Sequence, residues 1–125
     1  MVSEKIVIPS MRPGGMEAEC SQHFGHCEIF TVVDIEDGKV TSVEVMDNIE
    51  HVQGGCMAPV MLLKERGADK LLVGGIGMRP LMGFRQVGID VLGMAIGTVE
   101  VVLQDYLDGG LSPMDEQHVC GHSRQ

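Results

Sequence analysis

Apolar positions along the chain come in short runs whose period changes part way through. Ile6 to Pro9 is a brief apolar run, Glu28 to Asp34 (EIFTVVD) is rich in β-branched residues, and Val40 to Met46 (VTSVEVM) alternates on one face. All three read as strands. Glu36-Asp37-Gly38-Lys39, between the second and third, reads as a hairpin turn. The spacing then becomes helical. Pro59 marks the first turn of a helix carrying Val60 and Leu63, and Gly67 ends it from the C′ position. Lys70 to Val73 predicts a fourth strand. Pro80 to about Val87 predicts a second helix, closed by Gly88, and Ile89 to Leu92 a fifth strand. Thr98 is placed to cap a third helix, whose Val99, Val102, Leu103, Tyr106 and Leu107 share one face. Periodicity is lost from Asp108. The expected organisation is one domain over residues 1–108 and a flexible tail over 109–125.

The order β-β-β-α-β-α-β-α calls for an α/β layer fold with right-handed crossovers. If the first hairpin is antiparallel, the first, fourth and fifth strands run the same way. The loops at 10–27, 47–57, 74–79 and 93–97 then leave one edge, where the parallel strands end. Open α/β sheets bind ligands at that edge. The loop at 10–27 is long for an unstructured connection. It has two consecutive glycines and few apolar anchors, so it is expected to be ordered by a ligand rather than before one.

The stretch LLVGGIGMRPLMGF, residues 71–84, places Gly74, Gly75 and Gly77 between a buried strand and a helix start. Glycine can turn through positive φ and leaves bare amides open to a ligand. Free N–H groups and the helix dipole favour an anion there, and Arg79 adds a cation. A tight strand-to-helix turn with a solvated arginine would read the same way. Cys20, His23, His26 and Cys27 are spaced as possible soft-metal ligands, although the spacing matches no standard zinc signature. Cys56, in GGCMAP before a helix, is where a thiol pKa falls. His51, and His118, Cys120 and His122 in the tail, are further candidates. No Ser/His/Asp set, paired-carboxylate motif or Walker pattern occurs.

Composition narrows the partners. The formal charge is −9 with no Lys/Arg run, which argues against nucleic acid and anionic membrane surfaces. No apolar run approaches the ~20 residues that span a bilayer, and MVSEKIVIPS lacks a signal-peptide layout. The expected compartment is the cytoplasm, where the four cysteines stay reduced.

Together, KIVIPS, GGMEAECSQHFGHCEIFTVVDIEDGKV, GGCMAPV and LLVGGIGMRPLMGF resemble the dinitrogenase iron-molybdenum cofactor biosynthesis family over about residues 5–107. The resemblance implies a ribonuclease H-like three-layer α/β/α fold with a five-stranded mixed sheet of order 3-2-1-4-5 and no ribonuclease activity. It implies a non-enzymatic carrier of an anionic metal–sulfur cluster, of Mo/Fe or Mo/Cu type, that exchanges with a cluster donor or acceptor protein. On that reading Gly74, Gly75, Gly77, Arg79, Gly54, Gly55 and Arg12 would hold the anion, and Cys56, His23, His26 and Cys27 would ligate metal. Two other classes stay open on the residues alone. One is an enzyme acting on a phosphorylated small molecule at the glycine loop, and the other is an interaction domain without metal.

Overall fold

The structure is a computed structural model that describes residues 3–21, 24, 29–47, 57–93 and 95–113. In chain order the elements are β1 (Ser3–Ser10), β2 (Ile29–Glu36), β3 (Lys39–Asp47), α1 (Met57–Glu65), β4 (Lys70–Leu72), α2 (Met78–Val87), β5 (Asp90–Gly93), α3 (Val99–Leu107) and β6 (Ser112–Pro113). They form a sheet of order β3-β2-β1-β4-β5-β6. β1 is antiparallel to β2 and parallel to β4, and β4 is parallel to β5. Carboxyl ends of the parallel strands therefore share one edge, as the sequence predicts.

The sheet has six strands rather than the expected five. β6 pairs antiparallel with β5 through Leu92 with Pro113 and Gly93 with Ser112. The expected tail, 109–125, thus contributes Ser112 and Pro113 to the sheet, and residues 114–125 lie outside the described residues. Pro113 is tolerated because an edge strand can do without one ladder donor.

Side chains alternate across β1, so the strand feeds two cores. Val7 joins Leu71, Val73, Val60, Leu63, Leu81 and Phe84 beneath α1 and α2. Ile6 and Ile8 join Leu72, Leu92, Val99, Val102 and Leu103 beneath α3. A strand covered on both faces needs an unbroken apolar run, which is what Ile6, Val7 and Ile8 supply. On α3, Thr98 caps as expected, accepting from the Val101 N–H. The apolar face is narrower than its spacing predicts, since Tyr106 is half-buried and Leu107 is 37% exposed. β3 departs further from its pattern. Val40, Val43 and Val45 are 40–48% exposed, because α3 does not reach over this edge strand.

At the opposite end of the sheet, Glu4, Lys70 and Tyr106 tie α3 to β1 and β4. Lys70 Nζ donates to Glu4 Oε1 at 2.8 Å, and the Tyr106 hydroxyl donates to the same oxygen. These bonds, Lys70's first, hold the Glu4 carboxyl below its ordinary range. Lys70 is pushed up mainly by its bond to Glu4, and Tyr106 is pushed up first by desolvation and then by that carboxylate. A depressed carboxyl contributes stability above its unfolded pKa and loses it as pH falls through the folded one. The raised Lys70 and Tyr106 act at the alkaline end, where their contribution is lost as pH rises through the folded values. Glu4→Gln should therefore flatten the acid limb, leaving stability less dependent on pH below about 5. Urea titrations from pH 3 to 7 check this, and an unchanged slope would remove Glu4 from the acid response.

Candidate functional site

The connection after β1 holds to both sides of the shared edge. It first lies over the α3 side of the sheet. The Gly15 N–H donates to the buried Thr31 Oγ1 at 3.1 Å, and Thr31 Oγ1 lies 2.8 Å from Ser10 Oγ. It then joins the start of α3. Cys20 N–H donates to the Gly97 carbonyl at 2.9 Å, and the Val99 and Glu100 N–H groups donate to the Ala18 and Met16 carbonyls. Two of the free N–H groups at that helix start are thus satisfied by the loop. The segment then crosses the edge. Ser21 N–H donates to the Pro9 carbonyl at 2.8 Å, and Phe24 lies in the opposite core.

This corrects the expectation of a loop short of anchors. Ala18 and Cys20 are each 8% exposed and Phe24 is 1% exposed. The Phe24 ring stacks on Phe30 with centroids 5.9 Å apart and meets Phe84 edge-on at 5.3 Å. Its backbone N–H donates to the Gly75 carbonyl at 3.0 Å. One hydrogen bond thus joins the HFGHC stretch to the GGIGMRPL stretch. The sequence reading missed Phe24, although it is the one aromatic residue in that loop, and this is a usable signal for an apolar anchor.

Gly74, Gly75 and Gly77 follow β4 on the shared edge, as expected, but not through positive φ. None of the three is among the positive-φ glycines, which in the neighbouring loops are Gly14, Gly15 and Gly97. Gly77 is the N-cap of α2 with φ −77° and ψ 166°, and no side chain caps the helix. α2 starts two residues before Pro80. Proline remains acceptable there, because first-turn N–H groups have no partner inside the helix. The first turn has no acidic residue. Arg79 is exposed and makes no ion pair among the described residues. The amides of Met78 and Arg79 thus stand at the positive end of a helix dipole, with an exposed arginine in the same turn, which suits an anion.

Arg12 lies elsewhere on this edge, with Nη2 3.6 Å from Asp47 Oδ1 at the end of β3 and both side chains mostly exposed. His23, His26, Cys27, Gly54, Gly55 and Cys56 lie outside the described residues, as do His51, His118, Cys120 and His122. Among the described residues no group of three or more His, Cys, Asp or Glu could hold a metal ion. Cys20, the first member of the C-x2-H-x2-H-C pattern, sits in the α3-side core, and burial pushes its thiol up to about 12. A thiol that stays protonated is a poor ligand and nucleophile. In the folded protein Cys20 should therefore resist iodoacetamide at pH 8 and react only on denaturation, which peptide mass spectrometry reads directly. Rapid native labelling would show that the thiol reaches solvent.

Among the described residues, no helix is long and apolar enough to cross a membrane. The chain is 29% identical over 97 residues to an uncharacterised protein of Methanocaldococcus jannaschii, covering 76% of this chain and 82% of that one. The crystal structure of PH0822 superposes with a TM-score of 0.76 at 30% identity, over 90% of this chain and 97% of that one. The apo orange protein of Desulfovibrio gigas superposes equally well, TM-score 0.76, over 90% and 97% of the two chains. At 24% identity, that likeness is one of fold. The motif stretches of the sequence all fall within residues 4–109, which match the family model described as dinitrogenase iron-molybdenum cofactor, and the chain belongs to that family.

Proposed function

We propose that this protein binds and carries an anionic metal–sulfur cluster of the iron–molybdenum or molybdenum–copper type, passing it between a donor and an acceptor protein in the cytoplasm without catalysing a reaction itself. The observation that carries this reading is the meeting of two motif loops, through Phe24 and Gly75, beside the uncapped start of α2. The described donors there suit an anion rather than a bare cation: backbone amides and Arg79 stand at the edge, and the buried Cys20 thiol is unsuited to metal. Metal coordination would fall to Cys56, His23, His26 and Cys27, with Gly54 and Gly55 leaving room for the cluster. Arg12 would line the outer side of the same edge.

Arg79→Ala tests the reading. A hydrogen bond to a charged group contributes about 1.5–3 kcal/mol, so anaerobic titration with isolated iron-molybdenum cofactor should show affinity reduced by about tenfold to a hundredfold. The fold should be unchanged by circular dichroism, because an exposed arginine without an ion pair adds little stability. Equal affinity of the variant and the parent would take Arg79 out of the site.

A further inference from the structure

Charge is distributed very unevenly along this chain. Residues 57–88, from the start of α1 to the end of α2, hold five of the nine Lys and Arg residues but two of the eighteen Asp and Glu residues. That segment is formally +3, which leaves −12 for the rest of the chain. Lys70 and Asp69 sit at the far end of the sheet, where Lys70 is bonded to Glu4 and Asp69 accepts from the Lys5 N–H. The remaining charged side chains of the segment, Lys64, Glu65, Arg66, Arg79 and Arg85, are exposed on the α1/α2 layer. α2 has no acidic residue at all.

The same layer exposes thioethers. The core side of α2 is Pro80, Leu81, Gly83 and Phe84. Met78 and Met82, one turn apart on the opposite side, are 38% and 40% exposed, and Met61 on α1 is 47% exposed. α1 and α2 pack side by side, and Lys64 Nζ donates to the Val87 carbonyl at 3.1 Å across the seam. Arg85 Nη1 lies 4.0 Å from Met82 Sδ. Single exposed apolar residues are ordinary. Here, however, the outward positions of α2 are Met, Arg, Met, Arg and Gln, and Met and Arg are the types enriched where proteins bind proteins. Flexible thioethers also adapt to irregular apolar surfaces.

We infer that the outer face of α1 and α2 docks a protein partner whose contact surface is apolar at its centre and acidic at its rim. Methionine side chains would fill the centre, and Lys64, Arg66 and Arg85 would pair with the acidic rim. Charge complementarity favours this orientation: the +3 segment attracts such a partner while the −12 carried by the rest of the chain disfavours it, which raises the on-rate and fixes approach more than it adds affinity. The face begins at Met78, next to the glycine loop, so a bound partner would lie against the candidate anion site. The identity of that partner as cluster donor or acceptor rests on the proposed function, whereas the face itself does not.

The test uses the cluster-free full-length chain and a synthetic amphipathic helical peptide with a leucine and phenylalanine stripe flanked by glutamates. A matched peptide with lysines in place of the glutamates is the control. In spectra of methyl-labelled methionine and amide groups, the acidic peptide should shift Met61, Met78 and Met82 and the amides of 61–66 and 78–86. Its affinity should fall at least tenfold when salt is raised from 50 to 500 mM, since exposed charge pairs are screened. R66E/R85E and M78S/M82S should each weaken it tenfold or more with the rest of the spectrum retained. The lysine peptide should leave this face unshifted. Shifts confined to the β3 valines, equal binding of the lysine peptide at α1/α2, or a response of these methyls to anionic lipid vesicles but not to the acidic peptide would each overturn the inference. So would concentration-dependent self-association through these methyls without peptide. Because no cluster is present, a null result for Arg79→Ala in cofactor titration leaves this outcome unaffected.

Discussion

Phe24→Ala is expected to destabilise the protein by about 3–5 kcal/mol, the usual loss for removing a buried aromatic side chain. A domain of this size has about 5–15 kcal/mol in all, so much of its margin would go with one ring. Phe24 is 1% exposed and contacts both Phe30 and Phe84. Its removal leaves a cavity lined by two rings fixed in β2 and α2. The effect should extend to the site, because this side chain keeps its own backbone N–H against the Gly75 carbonyl. Urea unfolding measures the stability term. Amide exchange at Phe24, with and without the substitution of its neighbour Phe84 by leucine, measures the anchoring. A loss below 1 kcal/mol would mean that the ring is not packed as described.

Gly14→Ala should be the second large effect, about 2–5 kcal/mol, and the contrast with Gly15→Ala isolates its cause. Both glycines have positive φ, 80° and 90°, and a β-carbon in that region costs roughly 1–2 kcal/mol. At Gly15 a β-carbon meets nothing within 4 Å, whereas at Gly14 it would lie 2.9 Å from both γ-carbons of Val45 and from Ile29 Cδ1. Val45 is restricted at χ1 and Ile29 is 1% exposed, so crowding adds about 1–3 kcal/mol. Gly15→Ala should therefore cost about 1–2 kcal/mol, and Val45→Ala in the Gly14→Ala background should recover part of the difference. Thermal or urea unfolding of the three variants checks the series. Equal losses at 14 and 15 would show that backbone strain alone is at work.

Legibility in the sequence followed the range of the interaction. Gly67, Gly88 and Thr98 act within one turn of helix, and each stands where the residue pattern places it. The shared edge of the parallel strands was accessible because crossovers admit few topologies, whereas the strand order came with the family resemblance. Interactions between distant segments were not. Nothing local marks Cys20 as a core residue, since its thiol is buried by α3 and by the turn at Gly97, nearly eighty positions away. β3 has the alternation of a strand with one buried face, yet among the described residues no helix crosses it. Two residues, Ser112 and Pro113, are too few to carry a period. The glycines of the GGIG stretch were read for positive φ, but that conformation falls at Gly14, Gly15 and Gly97. Of the candidate site, Gly74 to Arg79 was legible because a strand, a glycine run and a helix start adjoin in sequence. Its junction with Phe24 was not.

The pinning of the loop after β1 also fixes when in the life of the chain the site can exist. Glu19 bridges to Thr98, Cys20 bonds Gly97, and Phe24 bonds Gly75. Each contact closes a span of roughly fifty to eighty residues, and such closures come late because their entropy must be met before the contacts reward it. A chain emerging from the ribosome N-terminus first at about 5–20 residues per second would carry the HFGHC stretch for several seconds before Thr98 is made. Its cysteine and histidines would be exposed to metal before their scaffold is complete. If the proposed cluster site is correct, its loading would be tied to completion of α3, and a nascent or truncated chain ending before Thr98 should hold metal without the geometry of the finished edge.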